Sequence, residues 1–246
     1  MECRLAEVPE AWSEIRLASS LKVERENPFN PASSIPHFSL GFPRIDSLLR
    51  PFLPGRLTVF SGDESPMVAE LAAFRAQLPI EAGGLDSAVL LVDGGNRPDF
   101  TPALAKLRHI GPTAMRRVFV HRVFTLYQLT DFVSNHLSRA AEDCGTRLVI
   151  ISDMLGVFNE PELEEREARR MLGAIEEGIR RIKKNAFIIV TSAAPNKYDG
   201  VVASWADTAV YLSSSSGTVQ AKLLKHRNRL PTASSFKLSQ LLGTIG

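Results

Sequence analysis

The chain has 246 residues, 44% hydrophobic and 23% charged, enough apolar material for one large globular domain or a domain with a small appendage. That composition excludes a largely disordered chain, and a formal net charge of +2 excludes one that announces nucleic-acid binding by bulk charge. No apolar run reaches the ~20 residues that span a bilayer, and charges are scattered where a signal peptide carries an apolar block, so a cytoplasmic location without a membrane partner is expected.

In chain order, residues 1–36 read as an N-terminal segment: a short helix over 11–21, then the turn and linker chemistry of Asn27-Pro28-Phe29-Asn30-Pro31. Cys3 and Cys144 stand far apart with no His/Cys cluster beside them, which predicts neither a disulfide framework nor a metal site. From residue 37 to 246 short apolar runs alternate with helical periodicity, as one core domain does. Strands are predicted over 57–61, 88–92, 118–121, 148–151, 187–191 and 208–212, and helices over 68–77, 101–109, 126–141 and 166–184. Near-continuous apolar strands separated by helices imply an α/β fold whose mostly parallel sheet is covered on both faces. Residues 219–226 and 235–238 read as antiparallel strands added at the C-terminal end, after a hairpin turn at 213–217. The acidic stretch from Glu160 to Glu167 is set against Arg166, Arg169, Arg170, Arg180, Arg181, Lys183 and Lys184 on one predicted helix, the pattern of a solvated face.

Gly41 to Leu49, Gly55 to Gly62, Val89 to Asp93, Val118 to Phe124, Arg147 to Asp153, Val190 to Ser192 and Arg229 to Pro231 follow one another in an order that resembles the RecA/RadA recombinase superfamily and its KaiC-like relatives. Gly41-Phe42-Pro43-Arg44-Ile45-Asp46-Ser47-Leu48-Leu49 resembles the family's "TGxxxLDxLL", and Gly55-Arg56-Leu57-Thr58-Val59-Phe60-Ser61-Gly62 its "GxITExxG". The run from Val89 to Asp93 matches the strand before the catalytic carboxylate. Val118-Phe119-Val120-His121-Arg122-Val123-Phe124 is similar to "xxVxRxF", with Gln128 and Leu129 echoing the "HQxxLL" that follows. Arg147 to Asp153 occupies the Walker B position, Val190-Thr191-Ser192 that of "VTNQ", and Arg229-Leu230-Pro231 that of "SPxLP". The resemblance spans about residues 38–240 in unbroken order and implies a RecA-like P-loop-type core.

The chemistry that such a core carries is replaced here. A P-loop of the form G-x-x-x-x-G-K-[ST] wraps backbone N–H groups around phosphates, sets a lysine on the β/γ charge and a hydroxyl on magnesium. This chain has Gly62, Asp63, Glu64, Ser65, Pro66, Met67, Val68 and Ala69: only the first glycine remains, Pro66 lacks a donor, Val68 lacks the cation and Ala69 lacks the hydroxyl. Ser152 aligns with the Walker B aspartate while Asp153 stands one residue later, a slip that turns a strand side chain to the other face unless a bulge restores it. Gly95 replaces the water-positioning glutamate, and Ser192-Ala193 replaces the γ-phosphate sensor pair. Several phosphate contacts, each a charge-assisted hydrogen bond of about 1.5–3 kcal/mol, are lost together. No cofactor and no metal are expected, and Gly62, Asp93 and Asp153 read as a turn glycine and strand-end carboxylates.

Other segments offer binding chemistry. Phe29-Asn30-Pro31-Ala32 has the F-x-x-A spacing by which the recombinases dock a linker on a neighbouring subunit, making Phe29 and Ala32 partner-binding candidates; an ordinary buried anchor has the same spacing. The family's two DNA loops fall at 158–167, which is acidic and repels phosphate, and at 194–205, where Lys197 and Tyr198 are the phosphate and base-stacking candidates. Lys225, Arg227 and Arg229 line one face if the strand continues through them, either as a DNA-contacting stripe or as a charged edge that resists aggregation. DNA binding by the chain alone is therefore expected to be weak.

The resemblance and the replaced residues together imply a non-catalytic RadA/RecA-like paralogue, an interaction module in DNA recombination or repair whose partner is a RadA-like recombinase or another repair factor. The alternatives are an ATPase whose atypical site a partner completes, and a KaiC-like regulatory protein on the same fold.

Overall fold

A computed structural model describes residues 38–50, 52–95, 117–183 and 186–237. The predicted N-terminal segment with Phe29 and Ala32, and the predicted helix over 101–109, lie outside the described residues.

The elements follow the apolar pattern closely. Helix α1 (Pro43–Leu49) leads into strand β1 (Leu57–Ser61), helix α2 (Ser65–Arg75) and strands β2 (Ala88–Asp93) and β3 (Val118–Arg122). Helix α3 (Leu126–Asp131) runs through a π-helical turn (Phe132–His136) into α4 (Leu137–Asp143). Then come β4 (Thr146–Ser152), α5 (Glu165–Ile182), β5 (Phe187–Ser192), α6 (Asp199–Trp205), β6 (Thr208–Ser215), β7 (Thr218–His226) and β8 (Thr232–Lys237). The strands form one eight-stranded sheet in the order β3-β2-β4-β5-β1-β6-β7-β8. All pairings from β3 across to β6 are parallel, and β7 and β8 add antiparallel.

Burial explains the composition of the strands. Every residue of β1 and β5 is buried, because alternate side chains feed two cores on opposite faces. On one face Val59, Val92, Ile151 and Ile188 pack with Leu172, Ile175 and Ile179 of α5; on the other Phe60, Leu91, Ile150 and Ile189 pack with Val68, Leu71 and Ala72 of α2. Strand β3 departs from the expected burial on both sides. It forms the sheet edge, and Phe119 and Val120 are 44% and 45% exposed.

Local chemistry sets the ends of the elements. Thr125 Oγ1 accepts the Gln128 N–H and Gln128 Oε1 accepts the Phe124 N–H, a reciprocal cap that starts α3. Helix α2 begins at Ser65, three residues before its predicted start, because Pro66 lies in the first turn, where a missing N–H costs nothing. Strand β8 begins at Thr232 rather than at 235, since the pairings of Thr232 with Leu223 and Ala233 with Lys222 recruit polar residues that carry no apolar signal.

Candidate functional site

The chemistry-bearing residues gather at the carboxyl ends of β1, β2, β4 and β5. From β2 the chain moves to β3 at one edge, whereas from β4 it moves the other way, to β5. The neighbouring strands β2 and β4 thus feed connections in opposite directions, which makes a switch point, the place where open α/β sheets bind ligands.

The turn after β1 is not a phosphate cradle. Only Gly62, Asp63 and Glu64 separate β1 from α2, and the remaining residues of the would-be P-loop, Ser65 to Ala69, are helical. The Gly62 N–H donates to the Ser192 carbonyl at 2.9 Å, and the Gly62 carbonyl accepts the Ser65 N–H at 3.0 Å. Gly62 sits at φ +99°, and a Cβ there would stand 1.8 Å from the Leu212 carbonyl oxygen, so close packing on β6 explains this glycine without a ligand. Val68 and Ala69 are 0% and 2% exposed, inside the core below the sheet. Asp63 accepts from the Ser214 hydroxyl at 3.0 Å, which ties the turn to β6. Together with Glu64 it places two carboxylates before a helix N-terminus, which suits the helix dipole and repels an anion.

The other replaced positions are also occupied by structural contacts. Asp93, fully buried at the end of β2, pairs with Arg122 on β3 at 3.3 Å. Strand β4 ends at Ser152, and Asp153 turns out of it at φ +46°. Its N–H donates to Thr191 Oγ1 at 2.9 Å and its Oδ1 accepts the Ala193 N–H at 2.9 Å. Asp153 therefore faces β5 and the β2 turn; β5 lies between its strand and β1, so two strand spacings, roughly 10 Å, separate it from the line of Gly62. Ser192 Oγ donates to Asp199 Oδ1 at 3.1 Å, and Asp199 Oδ2 accepts the Asn196 N–H at 2.8 Å, so the turn after β5 is closed on itself.

One cavity opens at the switch point. It has a volume of about 180 Å³ and is lined by Gly94, Gly95, Asp153, Gly156, Asn159 and Ala194, with Leu155 at its side. Sequence reasoning named Asp153 and Gly95 only as losses from a nucleotide site. Glycines and a surface asparagine carry no signal of a pocket until the topology assembles them.

The nucleic-acid candidates do not form one surface. Lys197 is exposed, but Tyr198 is 2% exposed with its ring edge-on to Phe158, so it offers no face to a nucleobase. Strand β7 stops at His226, which breaks the expected stripe: Arg227 and Arg229 lie in the following turn and bend. Lys225 turns inward, its Nζ donating to the Ser204 carbonyl at 2.8 Å, and Arg229 donates to the Ser47 carbonyl. On α5, Arg169, Arg180 and Arg181 pair with Glu165, Glu176 and Glu177 one turn earlier, as a solvated face does.

His226, 9% exposed, has its pKa pushed down to about 4, first by burial and then by the charges of Arg229 and Arg56. Its Nδ1 accepts the Asn228 N–H, which requires the neutral ring. Between pH 6.5 and about 4 the unfolded chain binds this proton and the folded chain does not, so the stability it contributes is full above pH 6.5 and falls with pH. Urea unfolding is expected to lose roughly 2–3 kcal/mol over that window from this group, and His226→Gln to flatten the profile.

What the geometry defines is a doubly wound α/β domain with a polar cavity at its switch point and a closed three-residue turn after β1. Compared with known proteins, the sequence matches no family model and no curated protein. Among the described residues no helix is long and apolar enough to cross a membrane, and no three His, Cys, Asp or Glu residues gather as metal ligands.

Proposed function

We propose that this chain is a non-catalytic RadA/RecA-like paralogue that serves DNA recombination or repair as a protein-interaction module. The observation that carries the reading is the three-residue turn after β1. A chain that keeps the family's order of segments has Val68 and Ala69 packed in the core where a lysine and a hydroxyl would meet phosphate.

The edge that β3 forms among the described residues supports the interaction role. Phe119 and Val120 on β3, Phe124 in the turn that follows it and Tyr127 in the first turn of α3 are large residues exposed there. His121 and Arg122 make the end of this strand polar, but the exposed apolar stretch at Phe119 and Val120 is an aggregation hazard unless a partner buries it, and strand addition is the common way of doing so. The partner of this reading is a RadA-like recombinase, docked through the β3 edge and through Phe29 and Ala32 of the linker. DNA contact by the chain alone is weak, because the residues after β4 are acidic and Arg169, Arg170, Arg180 and Arg181 of α5 are paired with their own helix.

Co-purification of the full chain with a RadA-like recombinase tests this. Phe119→Asp changes an exposed side chain, so stability moves by no more than about 0.5–1 kcal/mol, while recovery of the recombinase falls at least tenfold. Phe29→Ala tests the linker contact in the same assay. Undiminished recovery with both variants contradicts the proposed docking.

A further inference from the structure

The cavity at the switch point has a chemistry of its own, independent of the proposed partner. Asp153 is 94% buried by residue exposure of 6%, and its two oxygens are used differently. Oδ1 is held by the Ala193 N–H. Oδ2 accepts no hydrogen bond from a described residue and faces Gly95 and Gly156, where added Cβ atoms would stand 2.5 and 2.9 Å from it. Side chains at either position would close the space in front of that oxygen. Asp153 is also one of three non-glycine residues at positive φ among the described residues, and backbone outliers of this kind gather at ligand sites.

Among the described residues, no cationic side chain lines the cavity. Arg122, the nearest strand-end cation on β3, is engaged with Asp93. The lining adds one further acceptor, the Gly94 carbonyl oxygen, 3.6 Å from the Cβ position of Gly156; Asn159 stands at the mouth with its Oδ1 already accepting the Asn196 amide at 2.9 Å. Asp153 Oδ2 therefore opens on the cavity with acceptor capacity that no described residue uses, which suits a cationic donor.

We infer that this cavity binds a primary ammonium group, with Asp153 Oδ2 as its counter-ion. The geometry selects the class. A guanidinium fork wants two parallel acceptors, and Asp153 presents one oxygen, the other being held by Ala193. A divalent cation wants about six oxygens, usually with several carboxylates, and among the described residues Asp153 is the one carboxylate that lines this site. An –NH₃⁺ head carries three donors that can meet the Asp153 Oδ2, the Gly94 carbonyl oxygen and water at the mouth. At about 180 Å³ the space admits an alkylammonium and falls short of the roughly 300 Å³ at which sites for larger ligands begin. The ammonium group has two sources, a free diamine or a lysine side chain of a protein.

The test is calorimetric titration of the full chain with methylammonium, putrescine and Nα-acetyl-lysine N-methylamide, against tetramethylammonium, potassium and magnesium at matched ionic strength. Methylammonium binds the wild type and tetramethylammonium does not, and the stronger of the other two amines identifies the source. Asp153→Asn keeps an oxygen for the Ala193 N–H and a residue type that tolerates positive φ, and it weakens the primary amines roughly tenfold or more, the loss of one charge-assisted hydrogen bond. Ala194→Leu, at an exposed position on the rim, closes the cavity and abolishes the same response without touching the carboxylate. Absence of any primary-amine binding, equal binding by Asp153→Asn and wild type, or a response to magnesium alone overturns the inference.

Discussion

Val68→Lys, which writes the lysine of the P-loop pattern into α2, is expected to unfold the domain rather than to create a nucleotide site. Val68 is 0% exposed and sits in the core with Leu71, Ala72 and Phe60. An ammonium placed there has no partner, so the side chain either loses its proton or drags water into the core. A loss of about 4 kcal/mol or more follows, a large share of the roughly 5–15 kcal/mol that holds an ordinary domain together. Adding Ala69→Thr leaves the result unchanged in sign. Urea unfolding with and without magnesium-ATP measures this, and the expected midpoints are equally lowered in both. If the lysine variant kept wild-type stability, or regained it when ATP was added, the turn after β1 would be able to open into a cradle.

Asp46→Ala has the second-largest expected effect, and it concerns the segment on which the family resemblance begins. Asp46 is 6% exposed on α1, and its carboxylate accepts the Leu40 N–H at 2.8 Å, the Phe42 N–H at 2.9 Å and the Ser39 hydroxyl at 2.8 Å. Burial pushes its carboxyl above the usual carboxylate range, against those three donors and the charge of Arg75. Removing it strands two backbone N–H groups beside Leu40 and Phe42, both buried, and each orphaned donor costs about 1–3 kcal/mol. A total of about 3–4 kcal/mol is expected in urea unfolding. A loss under about 1 kcal/mol would mean that water reaches those donors and that the chain ahead of α1 is not held by this carboxylate.

Most of the sheet was legible because its interior strands are buried on both faces and so read as unbroken apolar runs. The Val-Leu-Leu-Val of β2 and the Leu-Val-Ile-Ile of β4 are examples. Exposure at β3 was not legible, since Val-Phe-Val looks the same at an edge as in the middle; strand order decides between them, and order is a property of long-range contacts. Pro66 misled in a different way. Its missing N–H breaks a helix interior but suits a helix start, and only the position of Gly62 against Leu212 shows which applies. Tyr198 and Lys225 looked available because polar neighbours surround them in sequence. Each is drawn inward by a partner distant in the chain, Phe158 in one case and the end of α6 in the other. The cavity was invisible for the same reason, being assembled from the ends of three strands.

The most direct measurement is calorimetric titration of the full chain with magnesium-ATP. A closed turn with Val68 and Ala69 in the core predicts no binding tighter than about 100 μM, or roughly −5.5 kcal/mol. Saturable binding below that concentration, abolished by a substitution within Gly62 to Ala69, would contradict it.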